Sequence, residues 1–218
     1  MLGRFHEISL PSEDIRSSIA FYEQLGFVQA STGEAWRHPY AVMTDGRIAL
    51  GLHQEAAWQP SLTYVHEHIT RHAATLETRG FELEFAHVGD DRFNELGLRD
   101  PAGQLVRLVE ARTYSPAQPP EGGSLCGTFA HFSMPVTDRG RARSFWESLG
   151  FVALEAREQP YPHLPLTSDH LEIAFHEPRT ARAPMLVFLD AAASARATAG
   201  GAFLEAPEGT LLFLADAE

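Results

Sequence analysis

Histidine is the chain's most frequent metal-ligating and proton-transferring residue after the carboxylates, with 11 copies. His66, His68 and His72 crowd one expected strand–helix junction. The i, i+4 spacing of His68 and His72 would let them share a metal, and an exposed helix face explains them as well. His53 and His176 stand at equivalent places in two similar segments, near the ends of expected strands. That placement suits cavity mouths, or a hydrogen bond to a loop. Trp36, His38 and Tyr40, mirrored loosely by Tyr161 and His163, have the composition of a small-molecule pocket wall, although core packing accounts equally for the tyrosines. Gly89-Asp90-Asp91 reads as solvated loop. The sequence has no GxSxG elbow, GxGxxG turn or P-loop, which argues against hydrolase, dinucleotide and nucleoside-triphosphate chemistry.

Bulk properties narrow the partners. A formal charge of −12 over 218 residues, with no Lys/Arg run, disfavours nucleic acid and anionic membranes. A single cysteine, Cys126, leaves no disulfide framework and no thiolate metal cluster. The first residues are too polar for a signal peptide, and no apolar run approaches a membrane span, so a cytoplasmic protein is expected. The expected partner is a small molecule, and the expected state a two-domain monomer or a homodimer.

The positions of these residues are set by a repeat. ISLPSEDIRSSIAFYEQLGFV, from Ile8, matches FSMPVTDRGRARSFWESLGFV, from Phe132, at an offset of 124; GRIALGLHQ, from Gly46, matches DHLEIAFHE, from Asp169, at 123. A Pro/Gly/Ser-rich stretch separates the copies, giving domains at 1–112 and 125–218 with a linker at 113–124. Within each copy the order is βαβββ. A strand over 5–10 precedes N-cap chemistry at Ser12-Glu13-Asp14, a helix with apolar Ile15, Ile19, Tyr22 and Leu25, and a stop at Gly26. Short strands follow, with Thr44-Asp45-Gly46 as a hairpin turn. A second module starts near Leu62, with a helix over 69–79 and the turn DPAGQ from Asp100 before the last strand. The last module of the second copy lacks a hairpin strand and carries an Ala-rich helix near 191–199. The fold class is therefore α+β, two tandem domains of paired βαβββ modules with the final module shortened.

The segments DIRSSIAFYEQLGF and DRGRARSFWESLGF, together with NELGLRDPAGQLVRLVE, resemble the vicinal oxygen chelate superfamily, which includes glyoxalase I, bleomycin-resistance proteins and extradiol dioxygenases. The resemblance implies that paired modules build an open barrel around a cavity. In metal-using members, four cavity-facing positions on the first and last strands of the modules hold a divalent metal.

Strand alternation sends Ile8 and Leu10 toward the helix and Glu7 and Ser9 inward. By the family's spacing, Glu7 and His131 occupy the first ligand position. Ala49 or Gly51 and Glu172 or Ala174 occupy the second, Ser61 and a residue near Pro184 the third, and Arg107 and Phe213 the fourth. Glu110, of opposite parity to Arg107, should face outward. A guanidinium has no lone pair for a metal. Glu7 and Arg107 instead suit a salt bridge, or an arginine awaiting an anionic ligand. Two function classes follow. One is metal-independent binding of a small, possibly anionic molecule by Glu7, Ser9, Trp36 and Arg107, with no cofactor. The other is a metal-dependent lyase, isomerase or dioxygenase using His131, Glu172 and a further ligand.

Overall fold

In the computed structural model, residues 1–31, 36–55, 59–110, 123–169, 171–192 and 202–216 are described. The linker, except its last residues, and most of the expected Ala-rich helix lie outside them. The first sheet has eight strands: β1 (Arg4–Pro11), β2 (Val28–Ala30), β3 (Tyr40–Thr44), β4 (Ala49–His53), β5 (Ser61–His66), β6 (Leu83–His87), β7 (Glu95–Arg99) and β8 (Leu105–Glu110). Helices α1 (Ile15–Gln24) and α2 (Ile69–Thr78) join its modules. The second sheet has seven strands: β9 (Thr128–Pro135), β10 (Val152–Ala153), β11 (His163–Thr167), β12 (Glu172–His176), β13 (Met185–Leu189), β14 (Phe203–Glu205) and β15 (Leu211–Ala215). Helix α3 (Arg139–Ser148) follows β9.

Both sheets are mixed. Their spatial orders are β2-β3-β4-β1-β5-β8-β7-β6 and β10-β11-β12-β9-β13-β15-β14, so among the described residues the second has one strand fewer in its last module. β1 runs parallel to β4 and antiparallel to β5, which sets the first strands of two modules side by side at the sheet's centre. A bulge falls at His6 in β1 and at its repeat equivalent Ala130 in β9, where one extra residue faces the partner strand. Asp14 and Asp138 cap α1 and α3 through the backbone N–H of Ser17 and Arg141. Gly26 and Gly150 end the same helices at φ 87° and 106°, where a side chain would be strained.

The helix-covered faces of both sheets merge into one core containing Leu50, Leu52, Phe132, Trp146 and Phe188. Two crossed polar contacts fix the halves together. Tyr22 of α1 donates its hydroxyl to Glu208 Oε1 at 2.7 Å, and Trp146 of α3 donates Nε1–H to Asp100 Oδ2 at 3.0 Å. Tyr22 and Trp146 are repeat equivalents, and each reaches the last turn of the other half. Packing the helices together leaves the opposite face of each sheet for other work. No helix among the described residues is long and apolar enough to cross a membrane.

Candidate functional site

Strand register assembles the first-half site on the face away from the helices. Across the sheet, Glu7 of β1 lies beside Thr63 of β5, Thr63 beside Arg107 of β8, and Arg107 beside Gly97 of β7. On the other side, Ser9 neighbours Gly51 of β4. Glu7 and Ser9 have no exposed surface. Neither lines the open cavity of the first half, whereas Trp36 and Arg107 do.

Burying a carboxylate is costly unless its lone pairs are filled. Here they are. Glu7 Oε1 accepts from Ser9 Oγ at 2.8 Å and from His53 Nε2 at 2.8 Å, and Oε2 accepts from the Tyr40 hydroxyl. Thr63 Oγ1 then donates to Ser9 Oγ at 2.7 Å, since the serine proton is already committed. Burial by itself would raise the Glu7 carboxyl. The His53 hydrogen bond and charge, with His6 and Tyr40, outweigh it and hold the group down at about 2. Gly51 makes room for this arrangement, because a Cβ there would sit 2.2 Å from the carboxylate.

The network continues outward. An ionised carboxylate only accepts, so His53 carries its proton on Nε2 and, when neutral, accepts at Nδ1. His38 Nε2 lies 2.8 Å from that nitrogen and donates to it. His38 Nδ1 is left with a lone pair, 4.0 Å from Glu55 Oε2. Burial, then the neighbouring His53, lower the proton affinity of His38. Trp36 packs edge-on to His53 at 4.8 Å, and its ring also meets Phe93 at 5.1 Å.

Arg107 is placed differently from the salt bridge expected with Glu7. It donates from Nε to Glu95 Oε2 at 2.7 Å, and from Nη2 to the same oxygen, while its guanidinium lies 4.8 Å from the Trp36 ring centroid. Glu95 Oε1 also meets His87 Nδ1 at 3.0 Å. The physical reason is reach: β7 is the hydrogen-bonded neighbour of β8, and Glu7's oxygens are already filled. The cavity above measures about 850 Å³. Asp90 and Asp91, expected as plain solvated loop, stand at its wall with Glu55, Arg37 and Arg92. Glu110 takes the expected opposite parity and accepts from Asn94.

The second half repeats the backbone and changes the chemistry. Strand register aligns Glu7 with His131, Ser9 with Ser133, Tyr40 with His163 and His53 with His176. His131 Nε2 is hydrogen-bonded to the Tyr161 hydroxyl at 2.6 Å, and Ser133 Oγ to His176 Nδ1 at 2.7 Å. Phe213 stands where Arg107 does. The counterpart of Ser61 is Met185, not Pro184 or the residue before it, because Met185 is the residue opposite Ser133. Glu172 is exposed at the start of β12, in the wall of a separate cavity of about 750 Å³ that His131 also lines.

These residues do not fit the metal that the fold implies. In the first half the four positions hold a carboxylate whose oxygens are taken, a glycine, a serine and a guanidinium. In the second, His131 is hydrogen-bonded to Tyr161 and the later positions are the apolar Met185 and Phe213. Among the described residues no three His, Cys, Asp or Glu side chains cluster as ligands. At the β5–α2 junction it is His66 and His72 that stack, at 3.8 Å, rather than His68 with His72. His68 instead begins α2 with a left-handed φ of 59°.

The sequence alone did not reveal the His38–His53–Glu7 chain. Its only signals were the repeat position of His53 and the two-residue spacing that puts Trp36, His38 and Tyr40 on one side.

Two expectations follow. Gly51→Ala should displace Glu7 and destabilise the fold by about 3 kcal/mol or more, the scale for breaking a buried charged contact. In urea unfolding, Gly51→Ala combined with Glu7→Ala should lose less than the two single changes added together; strict additivity would contradict the contact. The second concerns acid. Burial pushes His131 to about 3 and His176 to about 4, from the ordinary 6.5. Below about 6.5 the unfolded chain takes up protons that the folded one refuses, so this stability is whole above that pH and lost below it. The unfolding free energy from urea titration should fall from pH 6.5 toward 4, by on the order of 1–3 kcal/mol per pH unit. His131→Phe should flatten the profile, and an unchanged slope would contradict burial of the neutral imidazole.

No family model matches the chain, and neither does any curated protein sequence. Solved structures do. A catechol 2,3-dioxygenase aligns over 97% of this chain and 86% of its own, with 14% identity and a TM-score of 0.58. A 2,2',3-trihydroxybiphenyl 1,2-dioxygenase from Sphingomonas wittichii aligns over 100% and 90%, with 16% identity and a TM-score of 0.60. An Mn(II)-bound glyoxalase from Novosphingobium aromaticivorans aligns over 97% and 81%, with 13% identity and a TM-score of 0.58. At such identities the likeness is one of fold: the chain has the two-sheet α+β fold seen in these extradiol dioxygenases and this glyoxalase.

Proposed function

We propose that the chain is a metal-independent binding protein for a small planar molecule, held in the first-half cavity in the manner of bleomycin-resistance proteins. Trp36 and Phe93 form its aromatic wall, Arg107 backs Trp36, and the buried Glu7 and Ser9 act indirectly, by holding Tyr40 and His53 against Trp36. The observation that carries this reading is the use made of the metal positions. Glu7 is spent on internal hydrogen bonds and Arg107 on Glu95, while an aromatic-walled cavity of about 850 Å³ lies beside Arg107. The metal-dependent alternative loses support on the same ground, because neither half offers a ligand set.

The small-molecule neighbours suggest where to begin. Two of the structures named above are of enzymes named for aromatic compounds, a catechol and a trihydroxybiphenyl. A panel of small aromatic compounds, neutral and anionic, should therefore be screened by tryptophan fluorescence and thermal shift. A binder is expected to quench Trp36 and raise the melting temperature. Trp36→Ala should weaken it about 3- to 10-fold, the range for one lost aromatic contact. Binding that persists undiminished in Trp36→Ala would place the ligand elsewhere.

A further inference from the structure

Charge at the cavity selects against the anionic ligand that Arg107 suggests from sequence. Four carboxylates, Glu55, Asp90, Asp91 and Glu95, share the wall with Arg37, Arg92 and Arg107, in a chain of net charge −12. Arg107 is held by Glu95. A molecule that is fully anionic in solution meets repulsion there, whereas a neutral one does not. The cavity nonetheless contains a group able to change a ligand's charge.

That group is His38. Its Nε2–H is fixed on His53 Nδ1 at 2.8 Å, and His53 Nε2–H on Glu7 Oε1 at 2.8 Å. With His53 neutral, the chain of donors points inward and leaves Nδ1 of His38 as the acceptor. A proton arriving there makes an imidazolium whose charge is met by ionised Glu7 through His53 and by Glu55 at 4.0 Å. The groups acting on His38 together lower its proton affinity, burial most of all. Burial, His53 and Arg107 oppose protonation, and Glu55 and Glu95 favour it. The base is consequently neutral in the protein alone, and an adjacent anion would tip it. The Trp36 ring lies tilted against His38, 5.6 Å between ring centroids.

We propose that His38 is a general base: the cavity takes up a neutral planar molecule bearing an ionisable hydroxyl and moves that proton to His38 Nδ1. The O–H bond breaks, its electron pair stays on oxygen, and a new N–H bond forms on the imidazole. The product is an ion pair with no net change of charge, needing no metal and no redox partner. His53 is a positioning residue, holding the tautomer of His38 and coupling it to Glu7. The inference rests on the binding function above and adds the protonation state of what is bound.

The test uses 4-nitrophenol with the full chain, at a pH below the probe's own pKa, where the free phenol is colourless. Tryptophan quenching reports binding, and the yellow phenolate band reports proton transfer. Wild type should show both. His38→Gln, at a half-buried position where the fold should tolerate it, should keep the quenching and lose the band at least about tenfold, the change in ionised fraction made by one pKa unit. His53→Asn should raise the apparent pKa of the bound probe while quenching continues. Quenching without a band in wild type, or a band undiminished in His38→Gln, would overturn the proton transfer and leave binding intact. Absence of quenching in wild type would overturn binding of this class and the proton transfer with it.

Discussion

The first-half site depends on one carboxylate with no surface in water. Glu7 is held ionised at the centre of the sheet, where an unfilled lone pair would cost several kcal/mol. That requirement fixes its surroundings. Gly51 must lack a side chain because the carboxylate occupies the space of its Cβ. Ser9 and Tyr40 must donate, and His53 must present Nε2–H. A neutral His53 held in this way offers Nδ1 to His38, whose own Nδ1 is then the acceptor beside Glu55. A structural need at the buried carboxylate thus sets the chemistry of the mouth.

The second half shows what happens when that charge is removed. His131 replaces Glu7 on the same bulged strand, and the later positions turn apolar with Val187 beside it and Phe213 next along. The imidazoles of His131, His163 and His176 are kept neutral by burial, and their partners are Tyr161, Ser133 and backbone carbonyls. One half organises ionised groups beside its cavity; the other sets neutral imidazoles, hydrogen-bonded to Tyr161, Ser133 and backbone carbonyls, beside its own. The halves remain joined because Tyr22 and Trp146 each bury an aromatic ring and pass its polar end to the other half's last turn.

Much of the fold was legible because it rests on local rules. Asp14 and Asp138 cap their helices, Gly26 and Gly150 end them, and alternation along β1 puts Glu7 and Ser9 on one face. The shortened last module was visible as missing sequence, and among the described residues it has one strand fewer than its counterpart. The site was less legible, since its pairings are choices among neighbours that spacing does not rank. Arg107 had Glu7 and Glu95 within the same sheet, and only the register and Glu7's filled oxygens decide for Glu95. Asp90 and Asp91 read as loop because nothing local says which face a loop overhangs. His38 and His53 lie 15 positions apart, and their hydrogen bond depends on Tyr40 and His53 being cross-strand partners.

The most direct test of this organisation is a long-range proton–nitrogen NMR spectrum of the histidine side chains at neutral pH. His38 and His53 should both appear as Nε2–H tautomers, with the Nδ1 of His53 shifted by its accepted hydrogen bond, and both patterns should collapse in Glu7→Gln. A His53 carrying its proton on Nδ1, or a His38 tautomer indifferent to Glu7, would contradict a network built outward from a buried charge.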